Sequence, residues 1–104
     1  MKIEFLYFDD CPNHHAARQL LGDVLREQGV EGTIEAVAVT DSAVAERVRF
    51  AGSPTIRIDG RDVEPGFIDT GDHTLRCRVY QTSRGLRGVP EREWIAAAVE
   101  AARQ

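Results

Sequence analysis

Apolar residues fill nearly every position from Ile3 to Phe8, the mark of a short strand buried on both faces of a mostly parallel sheet. Asp9 and Asp10 end it. Pro12 suits the first turn of a helix, where its missing N–H costs nothing. Ala17, Leu20, Leu21, Val24 and Leu25 then recur at helical spacing until Gly29 closes the helix. Thr33 to Val39 is rich in β-branched residues and reads as a second strand. Asp41 or Ser42 can cap a second helix with Val44, Val48 and Ala51 on one face, ending at Gly52. Thr55 to Ile58 and Arg61 to Glu64 flank Asp59-Gly60, a pair that tolerates positive φ and so predicts a two-residue antiparallel hairpin. Pro65-Gly66 closes it.

Residues 66–88 are the least legible stretch. Leu75, Cys77 and Val79 alternate with Arg76, Arg78 and Tyr80, which fits a short extended piece whose apolar set is buried. The Gly and Arg residues between Ser83 and Gly88 read as turn material. Pro90 opens a last helix with Trp94, Ile95, Ala98, Val99 and Ala102 on one stripe. The pattern is β-α-β-α-β-β-α, an α/β fold with a mixed central sheet. A chain of 104 residues has room for one domain, 1–104. Its β-α-β start predicts a right-handed parallel unit, which puts the turn around Cys11 at a carboxyl end of the sheet, where such sheets place ligands.

Composition narrows the function classes. No apolar run approaches the roughly 20 residues of a membrane span, and residues 1–10 lack the regions of a signal peptide, so a cytoplasmic location is expected. Two cysteines make no disulfide framework; in a reducing compartment they are catalytic, metal-binding or buried. The formal net charge is −4, and all but one of the 13 basic residues are Arg. Arg76, Arg78, Arg84 and Arg87 fall in a stretch without acids. They are either a solvated loop or a local positive field for an anion or a thiolate. An acidic protein lacks the broad basic face that nucleic acid requires.

A strand ending in acids, Cys11-Pro12-Asn13-His14, a further β-α, and Ser53-Pro54-Thr55 opening a strand and hairpin together resemble the thioredoxin-like family over nearly the whole chain. The resemblance is closer to short bacterial members with a CPxH-type motif and a later segment like Cys77-Arg78-Val79-Tyr80, some labelled alkylmercury lyase. It implies a thioredoxin-like fold with a cis-proline loop at Pro54, the nucleophilic cysteine at Cys11, and substrate held by Pro12, Ser53, Pro54 and Thr55. His14 stands where the resolving cysteine would be, which removes the ordinary dithiol mechanism.

Chemistry at these residues follows from the thiolate being the reactive form. A helix N-terminus favours the anion, and a protonated His14 within reach of the sulfur would favour it further. Cys77 has two readings: a resolving partner of Cys11, or a core residue beside Leu75 and Val79. Tyr80 can donate to a ligand or rim the core. The expected function is thiol-disulfide exchange on a protein or small-molecule thiol or disulfide, with no cofactor, no resident metal, no nucleic acid and no membrane. The alternatives are soft-metal or organomercurial binding through Cys11 and Cys77, and a redox-inactive binding module.

Overall fold

The computed structural model describes all residues, 1–104. Its elements are β1 (Ile3–Tyr7), α1 (His14–Glu27), β2 (Ile34–Ala38), α2 (Ser42–Arg47), β3 (Thr55–Ile58), β4 (Arg61–Asp62), β5 (Tyr80–Thr82), β6 (Gly85–Arg87) and α3 (Arg92–Ala102). Four strands form one mixed sheet in the order β2-β1-β3-β4. β1 is parallel to β2, and β3 is antiparallel to both β1 and β4. No helix is long and apolar enough to cross a membrane.

The period of β1 divides its side chains between two cores. Ile3 and Phe5 join Ile56 and Ile58 of β3 under the apolar faces of α1 and α3, with Leu21, Val24, Ile95 and Val99 among the buried residues. Leu6 points the other way and meets Val39, Ala45 and Phe50. The result is a sheet with α1 and α3 on one face and the short α2 on the other. Asp59 and Gly60 carry the positive φ values of 51° and 80° that a tight hairpin needs between β3 and β4.

Four expectations are corrected. The first helix begins at His14, with Asn13 as its N-cap, and not at Pro12. Cys11 therefore sits in a turn ahead of the helix, its N–H donating to the Phe8 carbonyl at 3.1 Å. The residue before a proline is disfavoured in the α region, which keeps Cys11 outside. Asn13 makes no side-chain cap, because its amide lies against Gly88, where an added Cβ would come within 2.1 Å of Nδ2. The second helix stops at Arg47, short of Gly52: Arg49 turns to φ 54°, Phe50 N–H reaches back to Ala45 O, and the Arg57 guanidinium caps the Val48 and Arg49 carbonyls at 2.8 and 2.7 Å.

In the third correction, segment 75–80 alternates in the opposite sense to that expected. Leu75, Cys77 and Val79 are exposed, whereas Arg78 and Tyr80 are buried. In the fourth, the stretch read as turn material is a hairpin, β5–β6. The long connection between β4 and β5 is held by His73, whose Nδ1 meets Glu46 of α2 at 3.0 Å and whose Nε2 meets Asp69 at 2.9 Å.

That clamp is pH-dependent. The hydrogen bond to Glu46, then that to Asp69, raises the His73 pKa above its ordinary value, while the Gly71 N–H and then His73 hold Asp69 at about 2, with Arg49 also on Asp69. A raised histidine stabilises most below its unfolded pKa and loses that contribution as pH rises through the folded value. The Asp69 contribution is present above the usual carboxylate range and is lost on acidification toward about 2. Hydrogen exchange in residues 69–77 should therefore be slower at pH 6 than at pH 9 after correction for intrinsic rates, and His73→Ala should abolish the difference. Equal protection at the two pH values in the native chain would contradict this.

Candidate functional site

The antiparallel register of β1 and β3 places Leu6 opposite Thr55, so the chain leaving β1 and the chain entering β3 meet at one end of the sheet. The Cys11 turn and the Ser53–Pro54 loop converge there. The Ser53–Pro54 peptide is cis. Ser53 Oγ accepts from Phe8 N–H at 3.2 Å, and Cys11 Sγ donates to the Ser53 carbonyl at 3.4 Å. Cys11 is 2 % exposed.

A third segment completes the site. Cys77 pairs with Ser53 in an isolated parallel bridge: Ser53 N–H donates to Arg76 O, and Arg78 N–H donates to Ser53 O, each at 2.8 Å. Gly52 permits this approach. Its φ is +105°, and a Cβ there would lie 2.9 Å from the Cβ of Arg78. The bridge brings the two cysteines to one residue, Cys11 through its thiol on the Ser53 carbonyl and Cys77 through its backbone pairing with Ser53. Loss of water first, then the neighbouring Cys11 thiol, push the Cys77 pKa above the ordinary thiol value. Both cysteines are free thiols.

Arg78 anchors this segment. Its Nη1 and Nη2 bind Asp62 in a fork at 2.6 and 2.9 Å, Nη2 also meets Glu64 at 2.9 Å, and Nη1 meets Thr55 Oγ1 at 3.1 Å. The guanidinium carbon lies 4.3 Å from the centre of the Tyr80 ring and 4.9 Å from that of Phe67. Burial works against the charge, but the bonds to Asp62 outweigh it and leave the Arg78 pKa above its usual range. Tyr80 is fully buried, and its hydroxyl donates to the Pro54 carbonyl; burial pushes its pKa up.

The residues singled out in the sequence fare differently. Cys11 and Cys77 are brought together, and the core reading of Cys77 is overturned because the residue is exposed. His14 is placed elsewhere in its contacts: its ring stacks on Tyr7 at 4.7 Å and lies 4.0 Å from His15, while the Cys11 thiol bonds to Ser53. Pro12 is exposed. Ser53, Pro54 and Thr55, expected to hold substrate, are buried with their polar groups already used: the Ser53 backbone by segment 76–78, the Pro54 carbonyl by Tyr80, and Thr55 Oγ1 by the Gly52 carbonyl and Arg78. The positive field is also smaller than expected, since Arg76 pairs with Asp72 at 2.7 Å and Arg78 with Asp62 and Glu64. Asp62 and Glu64 were not anticipated. Their signal was present as two acids at i and i+2 of a hairpin, hence on one face, with a tyrosine and an arginine at the same spacing further along.

Fold and site together define an α/β protein with two adjacent thiols, one buried and one exposed, joined through the backbone of a cis-proline loop. Compared with protein-family models, curated proteins and solved structures, this chain finds no match among any of them.

Proposed function

We propose that this is a thioredoxin-like thiol-disulfide oxidoreductase whose working groups are Cys11 and Cys77. The observation that carries the reading is the Ser53–Cys77 bridge, which sets Cys77 beside the same Ser53 whose carbonyl accepts from the Cys11 thiol. Two free thiols set at one residue can cycle to a disulfide where their Cα atoms lie within about 7 Å. Cys77 would then supply the second thiol that a CPxH motif lacks. The strand order β2-β1-β3-β4 with β3 reversed, and the cis peptide beside Cys11, support the thioredoxin-like part. His14 is left out of the exchange, since its contacts are with Tyr7 and His15. In one turnover the pair gives two electrons and two protons to a substrate disulfide, yielding two thiols, and an external dithiol restores the pair.

The test is to treat the reduced, folded protein with excess small disulfide and map the products without reduction. An internal Cys11–Cys77 link with loss of two hydrogens is the expected result. A folded protein that accumulates only mixed disulfides and never closes the link would end the redox reading. The same two sulfurs could clasp a soft two-coordinate ion, so stoichiometric mercury(II) uptake without any disulfide exchange would move the assignment to metal binding.

A further inference from the structure

We propose that Cys77, not Cys11, is the sulfur that meets the substrate, and that the substrate is a low-molecular-weight disulfide entering by the cleft that Cys77 lines. The inference rests on the pair acting as a dithiol, and it reverses the order that a cysteine at the start of the first helix suggests.

Thiol-disulfide exchange needs the attacking sulfur to approach the substrate S–S bond end-on, so the first thiol must present an open face. Cys11 has none to offer. It is 2 % exposed, its S–H is committed to the Ser53 carbonyl, and segment 76–78 is paired along Ser53 beside it. Cys77 is exposed and lines a cleft of about 360 Å³ together with Gly66, Phe67, Ile68 and Arg76. That volume lies within the range of small-molecule sites, roughly 300–1,000 Å³.

The form of the substrate follows from what the cleft lacks. An extended polypeptide is ordinarily gripped by adding a strand to free backbone N–H and C=O groups. At this site the corresponding groups of Ser53 are spent on Arg76 and Arg78 of the chain itself. Segment 76–78 therefore occupies the edge that a peptide would use, and it is fastened there by the Arg78 bonds to Asp62 and Glu64 and by the close approach to Gly52. Cys77 behaves as a permanently docked cysteine that carries exchange between solvent and the interior thiol.

The steps balance. The Cys77 thiolate, its proton released to solvent, attacks one sulfur of R–S–S–R′; a Cys77–S–S–R bond forms, the S–S bond of the substrate breaks, and R′S⁻ leaves and takes up a proton. Cys11 then loses its proton and attacks Cys77 Sγ, forming the internal disulfide and expelling RS⁻, which is protonated in turn. The substrate is reduced by two electrons and the cysteine pair is oxidised by two.

The experiment uses bis(2-hydroxyethyl) disulfide as probe, with the native chain and the variants Cys11→Ser and Cys77→Ser. Cys11→Ser should stop at a mixed disulfide on Cys77 and form no internal link. Cys77→Ser should form its adduct at least about tenfold more slowly than Cys11→Ser when folded, because a buried thiol reacts only after local opening. Equal rates for the two variants, or an adduct on Cys11 in the native chain, would overturn the assignment. As a check independent of any substitution, limited iodoacetamide treatment of the native reduced protein should label Cys77 before Cys11, whether or not the pair can form a disulfide. Labelling of Cys11 first would reject the proposal while leaving the dithiol reading open to its own test. A disulfide-bonded extended peptide that oxidises the protein faster than the small probe would overturn the substrate class.

Discussion

Arg78→Ala is expected to cost about 3–5 kcal/mol of folding stability, because removing one partner of a buried ion pair leaves the other charge uncompensated. The Arg78 and Asp62 side chains are only 6 % and 4 % exposed, so neither is rescued by water. Deleting the guanidinium strands the Asp62 carboxylate, removes one partner of Glu64 and of Thr55, and opens space beneath the Phe67 and Tyr80 rings. Against a total stability of about 5–15 kcal/mol for a domain of this size, that is a large share. Urea unfolding measures it through the shift in midpoint, and a loss below about 1 kcal/mol, the scale of a surface pair, would show that the cluster is solvated in solution. Arg78→Met combined with Asp62→Leu should recover part of the loss, since an apolar replacement of both partners leaves no orphaned charge.

Gly52→Ala should have the second-largest effect, and it acts on the site as well as on the fold. At φ +105° an alanine is strained by about 1–3 kcal/mol before any contact is counted. The new Cβ would also sit 2.9 Å from the Arg78 Cβ and 3.3 Å from its Cα, so segment 76–78 must move off Ser53. Two readouts should change together. The urea midpoint falls, and Cys11 becomes more reactive toward a small alkylating agent, because the segment that covers it has been displaced. A destabilised variant in which Cys11 stays as slow as in the native chain would mean that Cys77 and its neighbours do not shield the interior thiol.

Much of the architecture can be read directly along the chain. The continuous apolar run of β1, the helical stripes of α1 and α3, and the Asp-Gly turn between β3 and β4 are local patterns, and local backbone preference agrees with burial at each of them. The convergence of Cys11 and Ser53-Pro54 is also legible once β1 and β3 are neighbours. The ends of α1 and α2 are harder, because they turn on a side chain reaching Gly88 in one case and on an arginine at positive φ in the other.

Residues 75–80 were beyond local reasoning for a different cause. A period of two says that a segment has two faces but not which of them goes inside. Leu75, Cys77 and Val79 were the apolar set, so burial seemed to belong to them. The surface against which the segment packs, however, already carries Asp62 and Glu64, and the buried Asp62 carboxylate costs far more than three exposed apolar side chains unless a cation answers it. Arg78 does so, Tyr80 follows it inward at i+2, and Cys77 is turned outward. The sequence by itself determined the four strands of the main sheet, the existence of the three helices and the presence of two thiols. Their meeting, and the choice of which one faces solvent, was decided only when acids from one hairpin captured an arginine sixteen residues further along the chain.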